Sequence, residues 1–353
     1  MKQRTKKWLL AGVLTIAVAA GVGIYYSNTS DKRSKAVEAK SEKQEEKAAK
    51  DIKEEEEPYY PLTIKTLGPD GREYETVYEK EPEKVVAVYQ GNVETMLALG
   101  LEDKIAAVAG MEQEVPEEYQ EAFSKLKNLE EFTPSRDVIT AEEPDMIFSW
   151  VSYFEEGTLG DPQEWLDQNI NVYINTNTAS RKCTLENEYK DIQNIGKIFN
   201  VEEKADHIVK SMQDKVKEIQ KKTEKMETRP SVLILEKGID GFINYGADSL
   251  AGDMATQIGA DLARTESGVL TADEVVQADP DVLFITYMPY MDDDEEAVKQ
   301  EKTDLFLQDE VFAEMKAVKN QKVVPVMLSE IFASGVRTQD GVEALAKGIL
   351  YND

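Results

Sequence analysis

Two segments of the chain carry the same order of apolar and polar positions. Residues 137–150 read DVITAEEPDMIFSW, and residues 273–286 read DEVVQADPDVLFIT with Tyr287 next. In each, an Asp opens a short helical stretch with apolar residues on one face, Val138 and Ile139 in the first, Val275 and Val276 in the second. Pro144-Asp145 and Pro280-Asp281 then stop the helix. A short, continuously apolar run follows, which reads as a buried parallel strand ending at or near an aromatic, Trp150 or Tyr287. Ligands of open α/β sheets bind outside such carboxyl ends. The spacing is too long for a solenoid repeat and points to two similar lobes facing each other across a cleft.

The rest of the pattern fits two lobes. Residues 62–78 alternate and pivot on Pro69-Asp70-Gly71, a hairpin signal. Residues 82–110 read strand, helix, strand: an apolar run at 85–88, a helix over 93–99 capped by Asn92 and stopped by Gly100, and a strand at 105–108. Helices are expected over 161–169 and 185–199, with a strand at 172–174. Residues 201–226 predict one long helix, with Val201, Ala205, Ile208, Met212, Val216 and Ile219 on one face and no Gly or Pro inside. At ~1.5 Å per residue it spans roughly 37 Å, about the width of a domain, and makes a stiff connector. Beyond it lie strands at 231–235 and 242–245, a helix at 250–258, an acidic loop at 292–296, a helix near 308–316, a strand at 322–327 and a terminal helix at 340–350. The fold expected is α/β, with two Rossmann-like lobes at 58–200 and 227–353 joined by the rigid helix 201–226.

Ahead of the lobes, Lys2, Arg4, Lys6 and Lys7 precede an uncharged stretch, WLLAGVLTIAVAAGVGIYY, at residues 8–26. Its length just spans a bilayer. The positive flank keeps the amino end in the cytoplasm and places the remainder outside. A cleaved signal peptide is the competing reading, since Ala17-Val18-Ala19 resembles a cleavage site. It would ignore the apolar residues beyond, so an uncleaved membrane anchor over 1–27 is preferred. No Cys lies near enough to carry lipid. The only one is Cys183, which excludes an internal disulfide and fits the surface of a Gram-positive cell. Residues 28–57 are a charged tether with almost no apolar content beyond alanine, expected to be disordered. Four bases precede the apolar stretch and the tether is net minus two, so the −28 of the whole chain leaves −30 for the lobes. That charge excludes nucleic acid as a partner and disfavours lying flat on an anionic membrane.

In the order of its segments the chain from about 82 to 351 resembles the substrate-binding proteins of ABC importers for iron-siderophores, haem and vitamin B12. The resemblance rests on EKVVAVYQGNVETMLALGLEDKIAAVAG, the two repeated phrases, the long helix, AVKNQKVVPV, SGVRT and GVEALAKGIL. It implies the class III periplasmic-binding fold, little hinge motion, no catalysis, and a permease dimer with its ATPase as partners. In that family the first residue of each repeated block is usually a Glu that pairs with permease Arg residues. The matching residues are Asp137 and Asp273, one methylene shorter, with Glu274 as a second candidate. A helix N-cap is the structural role expected of each Asp.

Residues after the predicted strand ends supply a rim of Tyr89, Trp150, Tyr153, Tyr245, Tyr287 and Tyr290, suited to a large, flat or partly apolar ligand. Met288 and Met291 add adaptable contact, and Arg337 has two equal readings, a bond to a hydroxamate, carboxylate or carbonyl oxygen of the ligand or a surface ion pair in a very acidic lobe. Trp165 and Tyr173 are assigned to the core. His207, the only histidine, is expected to face solvent on the long helix, so a His-rich site for naked zinc or manganese cannot form. No resident cofactor or metal is expected, and iron should arrive as a chelated ferric ion. Haem held by His is disfavoured, while Tyr or Met ligation stays open. A neutral hydroxamate or a corrinoid suits so acidic a chain better than an anionic catecholate. No nucleophile elbow, metal-ligand cluster or phosphate loop supports a hydrolase. A sensory or adhesive ectodomain of the same fold remains the alternative to an importer subunit, which is expected to be a monomer.

Overall fold

The chain enters as a hairpin whose turn is dictated by Pro69-Asp70-Gly71. Strands β1 (Leu62–Leu67) and β2 (Glu73–Tyr78) pair antiparallel, and Gly71 takes a left-handed φ of 73°. In this computed structural model residues 58–350 are described; the predicted anchor (1–27) and tether (28–57) lie outside them. Among the described residues no helix is long and apolar enough to cross a membrane. The hydroxyls of Thr66 and Thr76 donate to the carbonyls of Ile174 and Val172, which docks the hairpin on the first sheet.

That sheet holds β3 (Val85–Val88), β4 (Ile105–Ala109), β5 (Met146–Ser149) and β6 (Asn171–Ile174), all parallel, in the order β4-β3-β5-β6. Helix α1 (Gln90–Ala98) leaves β3 directly, earlier than the helix expected over 93–99. Asn92 is therefore inside the helix, its amide donating to the Val88 carbonyl, and does not cap it. Helix α2 (Arg136–Ala141) precedes β5, and α3 (Leu185–Ile198) closes the lobe.

The connector, α4, runs Glu202–Thr223, shorter at both ends than the expected 201–226. It buries Ala205, Val209, Met212, Val216 and Ile219, the stripe expected of an amphipathic helix. It packs on α3 so closely that a Cβ at Gly196 would lie 2.4 Å from that of Ala205. Its other end binds the last helix of the chain through Lys215–Glu343 and Ser211–Gln339.

The second sheet contains β7 (Ser231–Lys237), β8 (Phe242–Asn244), β9 (Asp261–Leu262), β10 (Gly268–Leu270), β11 (Val282–Tyr287) and β12 (Val323–Met327). Its parallel part runs β9-β7-β11-β12, while β8 and β10 add an antiparallel flap at the carboxyl end of β7. Counting parallel strands in chain order, both lobes have the order 2-1-3-4. Helices α5 (Leu250–Gln257), α6 (Ala272–Ala278), α7 (Glu295–Leu307) and α8 (Thr338–Leu350) surround the sheet. The helix expected near 308–316 is displaced. Asp294 accepts from the amides of Glu296 and Ala297, so the acidic stretch read as a loop starts α7. The expected range holds a single turn, Glu310–Phe312, and the first residue of a short helix, Lys316–Lys319.

The repeated phrase has a shared structural cause. Asp145 accepts the amides of Glu83 and Lys84, at 2.9 Å each, where the chain enters β3. Asp281 accepts the Ser231 amide at 2.9 Å and its hydroxyl at 2.8 Å, at the start of β7. In each lobe the backbone amide of the same Asp donates back to that neighbouring strand. Each Pro-Asp thus ends one helix and staples the first strand of its lobe to the third.

Asp281→Ala is expected to cost about 1–3 kcal/mol, because it strands a half-buried amide and hydroxyl; denaturant unfolding measures it. Partial burial alone would raise the Asp281 carboxyl, but the Ser231 bonds with Lys316 and Lys322 carry it below the usual carboxylate range. A depressed folded value means the contribution is complete above about pH 4, the unfolded value, and is lost as pH falls through the folded one. The stability gap between wild type and Asp281→Asn should therefore close on acidification, and a constant gap would contradict the ionic staple.

Candidate ligand cleft

The order 2-1-3-4 reverses direction between the first and third strands, and ligands of open sheets bind at that switch point. In the first lobe those strands are β3 and β5, and the residues that follow them are Tyr89 and Trp150. Their rings meet at 37° with centroids 3.4 Å apart. Tyr89 has φ 83°, a conformation that costs energy in a residue with a Cβ. It is held by its amide bond to the Ala109 carbonyl and by its hydroxyl, which donates to Glu112 Oε2 at 2.8 Å. The Trp150 ring lies 5.6 Å from that of Phe332, beyond β12 on the second lobe, and Phe332 lies 6.5 Å from Tyr245. Four rings from two lobes thus form one line.

Tyr245 and Tyr287 repeat the arrangement at Tyr89. Tyr245 donates to Glu236, and Tyr287 donates to Glu295 Oε1 at 3.0 Å. Burial, then the neighbouring carboxylate, pushes all three phenols far above their ordinary range, so they stay protonated donors. Burial also raises the Glu112 carboxyl, against the pull of Tyr89 and Arg337. Glu330 is pushed up to about 7 by burial and by Asp340.

The other predicted rim residues scatter. Tyr153 is 6% exposed, inside the cluster that holds Ile139, Leu159 and Trp165, so it stands in the wall beneath the cleft. Met288 is half-buried, and Tyr290 and Met291 are exposed on the loop into α7. That loop touches the first lobe, where the Met291 amide donates to the Glu112 carbonyl and Gln113 Nε2 donates to the Pro289 carbonyl, each at 3.1 Å. Trp165 and Tyr173 are core residues, as expected.

Arg337 makes an ion pair, the second of its two expected roles, but a buried one between the lobes rather than at the surface. Its guanidinium grips Glu94 of α1 with two bonds, Nε to Oε2 at 2.5 Å and Nη2 to Oε1 at 2.6 Å, and donates to Gln113 Oε1 at 2.8 Å. The Glu94 side chain is 0% exposed. Two residues earlier, the Gly335 amide donates to Glu188 Oε2 on α3; Gly335 has φ 57°, and a Cβ there would lie 2.4 Å from Thr95 Oγ1. The second lobe is thus latched to the first through two buried carboxylates. Burial, then Asp191, pushes Glu188 up to about 8.

Asp137 and Asp273 are not N-caps. Ser135 and Thr271 occupy those positions, and Thr271 forms a capping box with Glu274. Glu274 is thereby committed to its own helix. Both Asp residues sit two places past the cap, at matching positions of α2 and α6, exposed and with no side-chain hydrogen bond or ion pair among the described residues. His207 is exposed on α4, and among the described residues no group of three or more His, Cys, Asp or Glu could hold a metal. A cavity of about 620 Å³ beside the hairpin, lined by Arg72, Tyr74, Arg136, Asp137 and Asp161, shares no residue with the aromatic line.

The residues that sequence reasoning missed are Phe332, Glu94, Glu112 and Gln113. Phe332 had a usable signal, an aromatic just past the last strand. The others had none, because their importance lies in partners far along the chain. Removing the guanidinium by Arg337→Ala leaves Glu94 buried without its cation and should destabilise the protein by about 3–5 kcal/mol. Urea denaturation measures this, and a loss under 1 kcal/mol would refute the latch.

Three similar proteins frame the cleft. The chain is 26% identical to the ABC transporter substrate-binding lipoprotein YvrC of Bacillus subtilis, over 99% of this chain and 98% of that protein. It superposes with a TM-score of 0.74 and 29% identity on a periplasmic binding protein from Veillonella parvula, covering 83% of this chain and 92% of that one. It shares a fold, at TM-score 0.65 and 24% identity, with an ABC-type Fe3+-hydroxamate transport protein from Saccharomonospora viridis, covering 82% and 99%. Residues 85–326, most of the chain and both of its switch points, match the periplasmic binding protein family, and the chain belongs to that family.

Proposed function

We propose that the protein is the extracellular solute-binding subunit of an ABC importer, that it captures a ferric siderophore of the hydroxamate type between its lobes, and that it delivers it to a permease. The observation that carries this reading is the line of four rings, Tyr89, Trp150, Phe332 and Tyr245, drawn from both lobes at the strand ends. Such a surface takes a bulky, partly apolar ligand by shape and contact. The cleft charge supports a chelate without net negative charge. Arg337 is spent on Glu94, Lys299 pairs with Glu295 and Glu296, and among the described residues Glu112, Glu236 and Glu330 have no cation in an ion pair. The Saccharomonospora viridis relative is named for Fe3+-hydroxamate transport. Catalysis has no place in this reading, and energy comes from the partner ATPase.

Attachment at the outer face of the membrane is assigned to the apolar segment 8–26. YvrC is named a lipoprotein, but the one cysteine here is Cys183, near the middle of the sequence and far from segment 8–26. Asp137 and Asp273 are the permease-docking pair: exposed, unpaired, and matched in position on the two lobes.

The test is tryptophan fluorescence of the full chain, which carries Trp8, Trp150 and Trp165, in mild detergent. It would be titrated with ferrioxamine B, ferrichrome, a ferric catecholate, haem and cobalamin, with Trp150→Phe as the control. Saturable quenching by a ferric hydroxamate at micromolar concentration, at least halved in amplitude in the control, is expected. Preference for haem, cobalamin or the catecholate, or no response at all, would overturn the ligand class. The double variant Asp137→Arg/Asp273→Arg should bind the chelate unchanged yet lower ferric-chelate uptake by cells at least tenfold. Uptake equal to wild type would remove the docking role.

A further inference from the structure

Tyr89, Tyr245 and Tyr287 each donate to a glutamate, but only one of the three pairs is joined by a lysine. Tyr287 donates to Glu295 Oε1 at 3.0 Å, and Lys299 Nζ meets the same oxygen at 2.8 Å. The Lys299 ammonium also lies over the Tyr287 ring, 5.4 Å from its centroid. Phenol, carboxylate and ammonium thus close a triad, in which the cation meets a charged acceptor and a ring face together. A phenol that shares its proton with a carboxylate gains electron density in its ring, and the negative face of the ring is what draws the cation.

Tyr89–Glu112 and Tyr245–Glu236 repeat the phenol and the carboxylate without the ammonium. They stand at the two ends of the aromatic line, one on each lobe. Oε2 of each Glu accepts from its Tyr, while Oε1 has no hydrogen bond among the described residues and reaches solvent. The neighbouring bases are committed elsewhere. Arg337, whose charge reaches Glu112, holds Glu94 and Gln113. Lys237, beside Glu236 in β7, donates to the Gly238 carbonyl at 2.7 Å and lies over the Phe242 ring. The carboxyls register the difference: Lys299 foremost holds Glu295 below the usual carboxylate range, whereas burial raises Glu112. Between the two pairs, Trp150 is half-buried and Phe332 is 40% exposed, so two further rings are open to a guest.

We infer that the Tyr89–Glu112 and Tyr245–Glu236 pairs are ammonium subsites, and that the solute of this cleft is a ferric hydroxamate bearing a protonated amine on an arm. The amine takes the place that Lys299 fills in the third pair, bonded to Oε1 of Glu112 or Glu236 and set against the ring of the matching tyrosine. This names the charge of the captured solute and rests on the solute-binding reading.

Ferrioxamine B ends in a protonated amine, and its N-acetyl derivative carries the same ferric centre without that charge. Calorimetric titration of the full chain in mild detergent at low ionic strength compares the two. The cationic form is expected to bind at least tenfold more tightly. The double variant Glu112→Gln/Glu236→Gln keeps an acceptor for each phenol and removes both charges, and it should lower the affinity ratio of the two forms at least threefold. The ratio cancels any loss that the substitutions inflict on both forms alike. Should the double variant not fold, at least one of the single variants Glu112→Gln and Glu236→Gln should lower the ratio threefold. A wild-type ratio under tenfold overturns the inference and leaves the hydroxamate reading intact. A ratio that persists in the variants also overturns it, because the negative charge of the whole chain would then attract the cation without these pairs. Binding of neither form overturns the hydroxamate reading, and this inference with it.

Discussion

Everything that positions the cleft depends on one carboxylate in each lobe. Asp145 and Asp281 accept hydrogen bonds from the entry of the neighbouring first strand and return one through their own amides. A parallel pair has no hairpin to set its register, so the register must come from side chains or packing. The staple sets it at the buried start of β5 and β11. Register then fixes which residues emerge at the far end, and those are Tyr89 beside Trp150 and, on the other lobe, Tyr287. The chain repeats the Pro-Asp phrase because two lobes of the same strand order need the same staple.

The fold was legible for the reason that makes such staples work. Continuous apolar runs marked β3, β5, β7 and β11, and the one-sided stripe of 201–226 marked α4. Local chemistry misled where a polar residue had two possible uses. Asn92 reads as a cap but bonds backward to Val88 inside α1, because the chain turns at Tyr89 with a left-handed φ. The run at 292–296 reads as a loop by charge, yet Asp294 caps α7 and the acids that follow suit its positive end. Asp137 and Asp273 read as caps and are displaced by Ser135 and Thr271, one step before the helical residues.

The candidate site was legible only as a list of aromatics. That rule selects residues by strand end, and it placed Tyr89, Trp150, Tyr245 and Tyr287 correctly at strand ends. It could not tell a rim residue from a wall residue, which is why Tyr153 turned out to be enclosed. It also could not reveal partners. Arg337 and Glu94 are 243 residues apart, Gly335 and Glu188 are 147 apart, and nothing local in either member announces the other. A charge in a loop looks free until the fold delivers its counter-charge.

That counter-charge decides how the two lobes behave. The Arg337–Glu94 pair, the Gly335–Glu188 bond and the Met291–Glu112 bond all cross between them, and α4 packs on both. Swinging the lobes apart would break this ion pair and these hydrogen bonds together and expose the packed faces of α4 to water. The geometry therefore favours a nearly rigid cleft whose selectivity resides in its surface, in ring faces and protonated phenols, and a rigid surface of that kind selects by shape and contact.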